Sequence, residues 1–142
     1  MTLTGSPVGG TFSGTGVSGT TFTPSTAGAG THTVTYEFTD GNGCTNSATT
    51  DIVVNPLPVV TIAPQGPFCI DESGVTLTGS PVGGTFSGAG VSGTTFTPST
   101  AGAGTHTVTY EFSDGNGCTN SATTDIVAVS YTHLTLPTIL LV

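Results

Sequence analysis

THTVTYEFTDGNGCTNSATTDIVV, residues 31–54, is the stretch that decides the fold, and it recurs almost letter for letter at residues 105–128. From Thr31 to Phe38, polar residues alternate with His, Val, Tyr and Phe, which is the period of a β-strand with one buried face. The DGNG run at residues 40–43 tolerates positive φ and allows the chain to reverse. A Thr- and Val-rich arm then returns, so we predict a β-hairpin. Two strands alone are marginal in water, so the hairpin must pack against the rest of its repeat.

The hairpin belongs to a longer repeat. Residues 2–54 match residues 76–128, an offset of 76 − 2 = 74 residues, except at three pairs of positions: Thr15/Ala89, Thr39/Ser113 and Val54/Ala128. A unit of this size is barely able to bury a core of its own. Near-identical copies favour a spacer or a multivalent surface over a catalytic site, because length and contact area gain directly from copying.

The repeat divides the chain into four predicted parts. Residues 1–55 form an incomplete unit, unit 1, and residues 59–128 form a complete one, unit 2. Residues 56–58, Pro-Leu-Pro, read as a stiff linker. Met1 stands where unit 2 has Val75, so unit 1 is expected to be a truncation of a longer gene and to lack the counterpart of residues 59–74. Residues 129–142 leave the repeat, and their back-translation resembles a sequencing adapter, so we expect a non-native tail on a fragment.

Unit 2 supplies the detailed strand prediction. Short strands joined by Gly- and Pro-rich turns favour an all-β fold of two packed sheets. We predict six strands: Val59–Ala63, Gly74–Gly79, Gly84–Ser87, Thr94–Pro98, Thr105–Ser113 and Thr119–Val127. The predicted core residues are Ile62, Leu77, Phe86, Phe96, Val108, Tyr110, Phe112 and Ile126. The stretch Ser99–Gly104 is too short and Gly-rich to predict a helix.

The permanently charged side chains of the chain are all acidic. It has no Lys and no Arg against 8 Asp and Glu, a net charge of −8. Without cations, contacts to nucleic-acid phosphates or to anionic lipid are not expected, and no run is long enough to insert into a membrane. Trypsin-like proteases have no cleavage site. The composition suits an exposed extracellular protein.

The chain has three cysteines. Cys44 and Cys118 are equivalent, whereas Cys69 lies in the part that unit 1 lacks. We predict that Cys69 pairs with Cys118 and that Cys44 has lost its partner. Such a disulfide would add roughly 4 kcal/mol in the chain-entropy model and would imply an oxidising compartment. Free buried thiols are the alternative, and a metal site is disfavoured because no C-x-x-C occurs.

No pattern predicts catalysis or a cofactor. The DGNG runs faintly resemble a calcium loop, and Ca²⁺ near Asp114 and Asn116 is left open, but the further acidic ligands of such a loop are missing, so a backbone turn is favoured. His32 and His106 share a face with Val, Tyr and Phe and are expected at the rim of a core, without a nucleophile at a recognisable spacing. A single row of threonines per unit also leaves ice binding as a remote alternative.

Several segments carry a family resemblance. GSPVGGTFSG at residues 5–14, DGNGC at 40–44 and NPLP at 55–58 resemble the Ig-like or PKD-like repeats of very large bacterial surface proteins, which are adhesins of gliding bacteria and other cargo of the type IX secretion system. The resemblance covers residues 1–127. It implies tandem antiparallel β-sandwiches, the first truncated, and it maps the usual cysteine pair of the family onto Cys69 and Cys118.

The resemblance implies a function as well. We expect a structural and adhesive module of a secreted or surface-anchored bacterial protein, located outside the cell and not an enzyme. Its expected partners are neighbouring repeats of the same chain and an extracellular glycan or protein ligand. The alternative is an accessory module of a secreted polysaccharide-degrading enzyme that binds glycan or spaces the catalytic domain. That role needs exposed aromatic residues, whereas Tyr36 and Tyr110 are predicted to point inward and Trp is absent.

Overall fold

The computed structural model describes residues 1–130. The chain divides between Pro56 and Leu57 into two compact units, and each is described by itself. Twelve of the sixteen elements of regular structure in the described residues have four residues or fewer, and most of the β-structure lies in one long hairpin per unit. Residues 131–142, the greater part of the predicted non-native tail, lie outside the described residues.

Unit 1 is built around the hairpin predicted from residues 31–54. Its elements are β1 (Thr11–Ser13), β2 (Val17–Ser18), β3 (Thr21–Phe22), α1 (Pro24–Ala27), β4 (Gly30–Thr39) and β5 (Thr45–Val54). The strands form an antiparallel sheet in the order β1-β4-β5 and a separate β2-β3 pair. Thr2 bridges to Thr21, so the first residues of the chain extend the β2-β3 pair.

The turn of each hairpin follows from its DGNG sequence. In unit 1 the strands close with Thr39 opposite Thr45, and the Gly43 amide donates to the Asp40 carbonyl oxygen at 3.0 Å. Gly43 has φ of +83°, a left-handed conformation that a side chain would oppose. The predicted hairpins are therefore confirmed, and their register follows from the turn.

Unit 2 repeats this arrangement and has four short strands, between residues 61 and 80, before it. Its elements are β6 (Thr61–Ile62), β7 (Phe68–Cys69), β8 (Val75–Thr76), β9 (Gly79–Ser80), β10 (Thr85–Ser87), β11 (Val91–Ser92), β12 (Thr95–Phe96), α2 (Pro98–Ala101), β13 (Gly104–Ser113) and β14 (Thr119–Val129). Three sheets result, in the orders β10-β13-β14-β7, β11-β12-β8 and β6-β9. The β7–β14 pairing is parallel, and the others are antiparallel.

The core of unit 2 lies between the sheets. Leu77, Phe96, Val108 and Ile126 form one buried cluster, with Phe68 and Phe86 packed against it. Five predicted core residues are buried and three are half-buried: Leu77, Phe96, Val108, Tyr110 and Ile126 against Ile62, Phe86 and Phe112. An all-β sandwich is therefore confirmed.

Three details differ from the prediction. Residues 98–101 form one helical turn, because Pro98 at the first helical position needs no amide partner and the Gly102 amide donates to the Pro98 carbonyl oxygen at 2.9 Å. The strands predicted at 59–63, 74–79 and 94–98 are reduced to two-residue pairings, and the two-residue strands β7 and β11 were not predicted. β14 continues to Val129, two residues beyond its predicted end.

Candidate functional site

The DGNGC tips use their acid group to hold the turn. Asp114 Oδ1 accepts hydrogen bonds from the amides of Asn116 and Cys118, both at 2.9 Å. Asp40 Oδ1 makes the same two bonds, to Asn42 and Cys44, at 2.9 Å. These bonds, the one from Cys44 first, hold the pKa of Asp40 below its usual value, because they favour the ionised carboxylate. The carboxylate therefore stabilises the turn by accepting hydrogen bonds from its backbone amides.

This geometry does not support a Ca²⁺ site at Asp114 and Asn116. Asp114 Oδ1 already accepts two backbone amides. Within residues 1–130, no group of three or more His, Cys, Asp or Glu side chains lies close enough together to hold a metal ion.

The two repeated histidines are structural. Nε2 of His106 lies 2.8 Å from the carbonyl oxygen of Gly102, and Nε2 of His32 lies 2.8 Å from that of Gly28. A carbonyl can only accept, so Nε2 carries the proton in both cases. The rings lie 6.1 Å from Phe96 and 6.2 Å from Phe22, respectively, between centroids. The predicted place at the rim of the core is confirmed, and each histidine ties the end of a helical turn to the long hairpin.

The repeated tyrosines face inward. Tyr110 is buried, and its hydroxyl accepts a hydrogen bond from the Gly84 amide at 2.8 Å and donates to the Pro81 carbonyl oxygen. Tyr36, its half-buried counterpart, makes the same bonds to Gly10 and Pro7. The buried Tyr110 ring offers no exposed face on which a sugar could stack.

The structure corrects the predicted disulfide. Cys69 and Cys118 are both free, as is Cys44. Cys69 lies opposite Val129 at the end of β14, whereas Cys118 immediately precedes the first residue of that strand. Eleven strand residues at about 3.3 Å each put some 35 Å between the two positions. A disulfide needs Cα atoms within about 7 Å, so the two cysteines of unit 2 cannot pair inside it.

The same strand shows where the first and the last described residues of unit 2 lie. Asn120 Nδ2 donates to the carbonyl oxygen of Pro58 at 2.9 Å, so the first residues of the unit lie beside the hairpin tip. The last described strand residue, Val129, lies at the other end of β14, where its carbonyl oxygen accepts from Ile70 at 2.9 Å. The chain therefore crosses the unit along its longest strand.

Comparison with known families agrees with this sandwich. Residues 58–127 match the model of the bacterial Ig domain family. The match begins at Pro58 and ends at Val127, so it contains every strand of the Ig-like unit except the last two residues of β14. Residues 2–53 repeat residues 76–127 of the matched Ig-like region with two substitutions, at Thr15 and Thr39. A search of the curated proteins finds no match.

Bacterial Ig domains are structural modules, common in extracellular and surface proteins, and are typically non-catalytic. The expectation of an Ig-like unit is confirmed for residues 58–127. In residues 1–130, no helix combines the length and the apolar character that crossing a bilayer requires.

Proposed function

We propose that this chain is a spacer and contact module of a bacterial surface protein, acting outside the cell and without catalysis. The observation that carries the proposal is the course of the chain through unit 2. The chain enters beside Asn120 at the hairpin tip, and β14 ends at Val129, at the opposite end of the longest strand. A module whose two chain ends lie at opposite ends of its long axis adds its full length to an array.

The strand length gives the size of each step. β14 has eleven residues, and at about 3.3 Å per residue it spans roughly 35 Å. Repeating such a unit extends a polypeptide by a few nanometres each time, which moves whatever lies at the distal end away from the cell.

The contact role has its own support in a repeated exposed side chain. Val8 and Val82 occupy the same turn in the two units, and each is 87% exposed. An apolar side chain fully in water at the same place in every copy gives an array many identical weak contacts, and avidity multiplies such contacts. The resemblance to surface adhesins that are cargo of the type IX secretion system supports the same role.

The spacer role is tested by lengthening the chain. One, two and three additional copies of residues 55–128 are inserted after residue 128, and the maximum dimension is measured by small-angle X-ray scattering. We expect an increase of about 35 Å per copy. Growth that follows only the cube root of the mass would show a compact assembly and would contradict the spacer role.

The contact role is tested on the same chains, coated on beads. Beads carrying more copies should adhere more strongly to bacterial and polysaccharide surfaces, and the double variant Val8→Ser, Val82→Ser should reduce adhesion. Val53→Ser, which changes a valine on β5 that is 66% exposed, is the control. Strong binding of a single copy to one glycan would instead favour the accessory-module alternative.

The secretion route is tested on the gene. Any coding sequence that flanks residues 1–142 should encode a signal peptide, further units and a carboxy-terminal sorting domain. A neighbouring polysaccharide-degrading domain would instead support the accessory-module alternative.

A further inference from the structure

The turn SPVGG, residues 80–84, holds an apolar side chain in water. Val82, its middle residue, is 87% exposed. The Tyr110 hydroxyl is bonded to the turn on both sides of this valine: it donates to the Pro81 carbonyl oxygen and accepts from the Gly84 amide at 2.8 Å. Because the Tyr110 ring is itself buried in the unit, the turn is anchored and Val82 is held away from the core.

A groove of about 240 Å³ opens beside this valine. Leu77, Phe86 and Tyr110 give it an apolar lining, and the exposed Val82 stands at its rim. Three glycines contribute no side chain to fill the space: Gly79, Gly83 and Gly84. The volume is several times the roughly 30 Å³ that one water molecule occupies in the liquid, so the groove can admit the side chain of a valine. We call Val82, its turn and this groove the valine surface of unit 2.

Unit 1 has a valine surface of its own. Val8 is 87% exposed, and the Tyr36 hydroxyl is bonded to its turn by the same two hydrogen bonds, to Pro7 and to Gly10. The groove beside it also measures about 240 Å³, and its lining residues are the counterparts of those in unit 2. The valine surface is therefore a property of the repeated sequence.

The charge of the chain indicates which partner this surface fits. Every residue that lines the two grooves, all within residues 3–110, is uncharged. The chain as a whole carries a net charge of −8 without any Lys or Arg, so two copies repel each other where their acidic side chains meet. A neutral apolar patch is the place where two such copies can touch with least repulsion. A cationic partner would gain nothing from it.

We propose that two copies of this chain associate through their valine surfaces, with the valine of each copy in the groove of the other. The same patch serves both copies, so a two-fold axis relates them. Each valine leaves water and covers the apolar lining of the opposing groove, which drives the association. The anchored turn loses little conformational freedom on pairing. The inference rests on the contact role proposed above and names the chain itself as the partner.

The test uses the full chain as an equal mixture of ¹³C-labelled and unlabelled copies. Isotope-filtered NMR then detects contacts between copies and removes those within one copy. We expect nuclear Overhauser effects from the Val82 methyl groups to the ring protons of Phe86 and Tyr110. The amide shifts of residues 81–84 and 7–10 should also change between about 50 μM and about 1 mM chain, the range of weak specific association.

Charged variants test the two valines. Val8→Asp with Val82→Asp places a carboxylate against each apolar groove and should weaken association by a factor of about ten or more. Val53→Asp with Val59→Asp is the matched control, because it adds the same two charges outside both grooves, at valines that are 66% and 83% exposed. All four native side chains are exposed, so neither double variant should unfold a unit.

A second pair of variants tests the groove. Thr94 and its counterpart Thr20 are exposed residues of the groove lining, and replacing both by Glu should repeat the loss of association. Ser18→Glu with Ser92→Glu is the control, since these exposed residues of β2 and β11 lie outside the grooves and should leave association unchanged. Valines that merely adhered to any apolar surface would be insensitive to Thr20→Glu and Thr94→Glu.

Three results would overturn the proposal. The first is the absence of contacts between copies and of concentration-dependent shifts at about 1 mM chain. If adhesion to foreign surfaces still depended on Val8 and Val82, the contact role would stand and only the self-pairing would fail. The second is association that Val8→Asp with Val82→Asp leaves as strong as the control. The third is shifts at residues 81–84 that follow a soluble cellulose oligosaccharide but not chain concentration, which would assign the groove to a glycan.

Discussion

Asn120 and Pro58 are joined across 62 residues of sequence by a hydrogen bond of 2.9 Å from the side-chain amide of Asn120 to the carbonyl oxygen of Pro58. This bond fixes the first residues of unit 2 to the start of β14. The position at which the chain enters the unit, and hence the head-to-tail direction of the module, depends on it.

Asn120→Ala should destabilise unit 2 by about 1 kcal/mol, the usual net contribution of one neutral hydrogen bond. Asn46→Ala is the matched control, because Asn46 is the exposed counterpart in unit 1 and its loss should cost less. Urea unfolding followed through the amide resonances of β5 and β14 separates the two units. Equal losses in both variants would contradict a structural role for the bond.

Gly79→Ala should destabilise unit 2 by about 1–3 kcal/mol through overpacking. A Cβ at this position would lie 2.6 Å from two ring carbons of Tyr110, a ring only 2% exposed that has no room to withdraw. Gly115→Ala is the control, since a Cβ there meets nothing within 4 Å. Thermal unfolding of both variants measures the difference, and similar melting temperatures would count against the close approach.

Tyr110→Phe removes the hydroxyl that accepts from the Gly84 amide and donates to the Pro81 carbonyl oxygen. A fully buried amide left without a partner costs about 1–3 kcal/mol, and because Gly84 is half-buried we expect a loss of about 1 kcal/mol in the free energy of unfolding. Tyr36→Phe should cost less, because Tyr36 is only half-buried and water can replace the lost partner. Urea denaturation of each variant tests the order, and the reverse order would refute the argument.

Oxidation should leave the two cysteines of unit 2 unconnected. In the variant Cys44→Ser, exposure to oxidised glutathione should give a monomer with two mixed disulfides, because β14 keeps Cys69 and Cys118 some 35 Å apart. Intact-mass spectrometry measures the result, and thiol titration before oxidation is the control. A monomer that is two mass units lighter and carries no glutathione would restore the disulfide predicted from the sequence.

The turn at Asp40 should respond to acid. Two amide hydrogen bonds keep the pKa of Asp40 below its usual value, so the ionised group supports the folded turn above its unfolded pKa. That support is lost as the pH falls through the lower, folded-state pKa. The amide shifts of Asn42 and Cys44 should therefore titrate below the usual aspartate range. Asp40→Ala should abolish this titration. A titration midpoint at or above the usual pKa of aspartate would contradict the prediction.

The long hairpins could be predicted from the sequence because their information is local. Alternation over residues 31–38 assigns one face to the core, and the DGNG turn sets the pairing of Thr39 with Thr45. The same alternation placed Val108, Tyr110 and Ile126 in the core. Strand period and turn chemistry act within about ten residues, so both are readable without knowledge of the rest of the fold.

The place of Cys69 could not be read in this way. Its strand has two residues and pairs with β14 at Val129, 60 positions along the chain, in parallel. Nothing in the local pattern of residues 66–70 selects that partner. The pairing of the cysteines was predicted from their number and their positions in the repeat, and neither gives the distance between them in the fold. The structure contradicts the pairing because Cys118 and Cys69 lie at opposite ends of β14.

The sequence by itself determined that this protein is an all-β repeat without cations, built on two near-identical hairpins, because period and turn residues are local properties. Only the tertiary structure decided which end of a unit receives the chain and where Cys69 lies relative to Cys118. These depend on contacts between segments far apart in sequence.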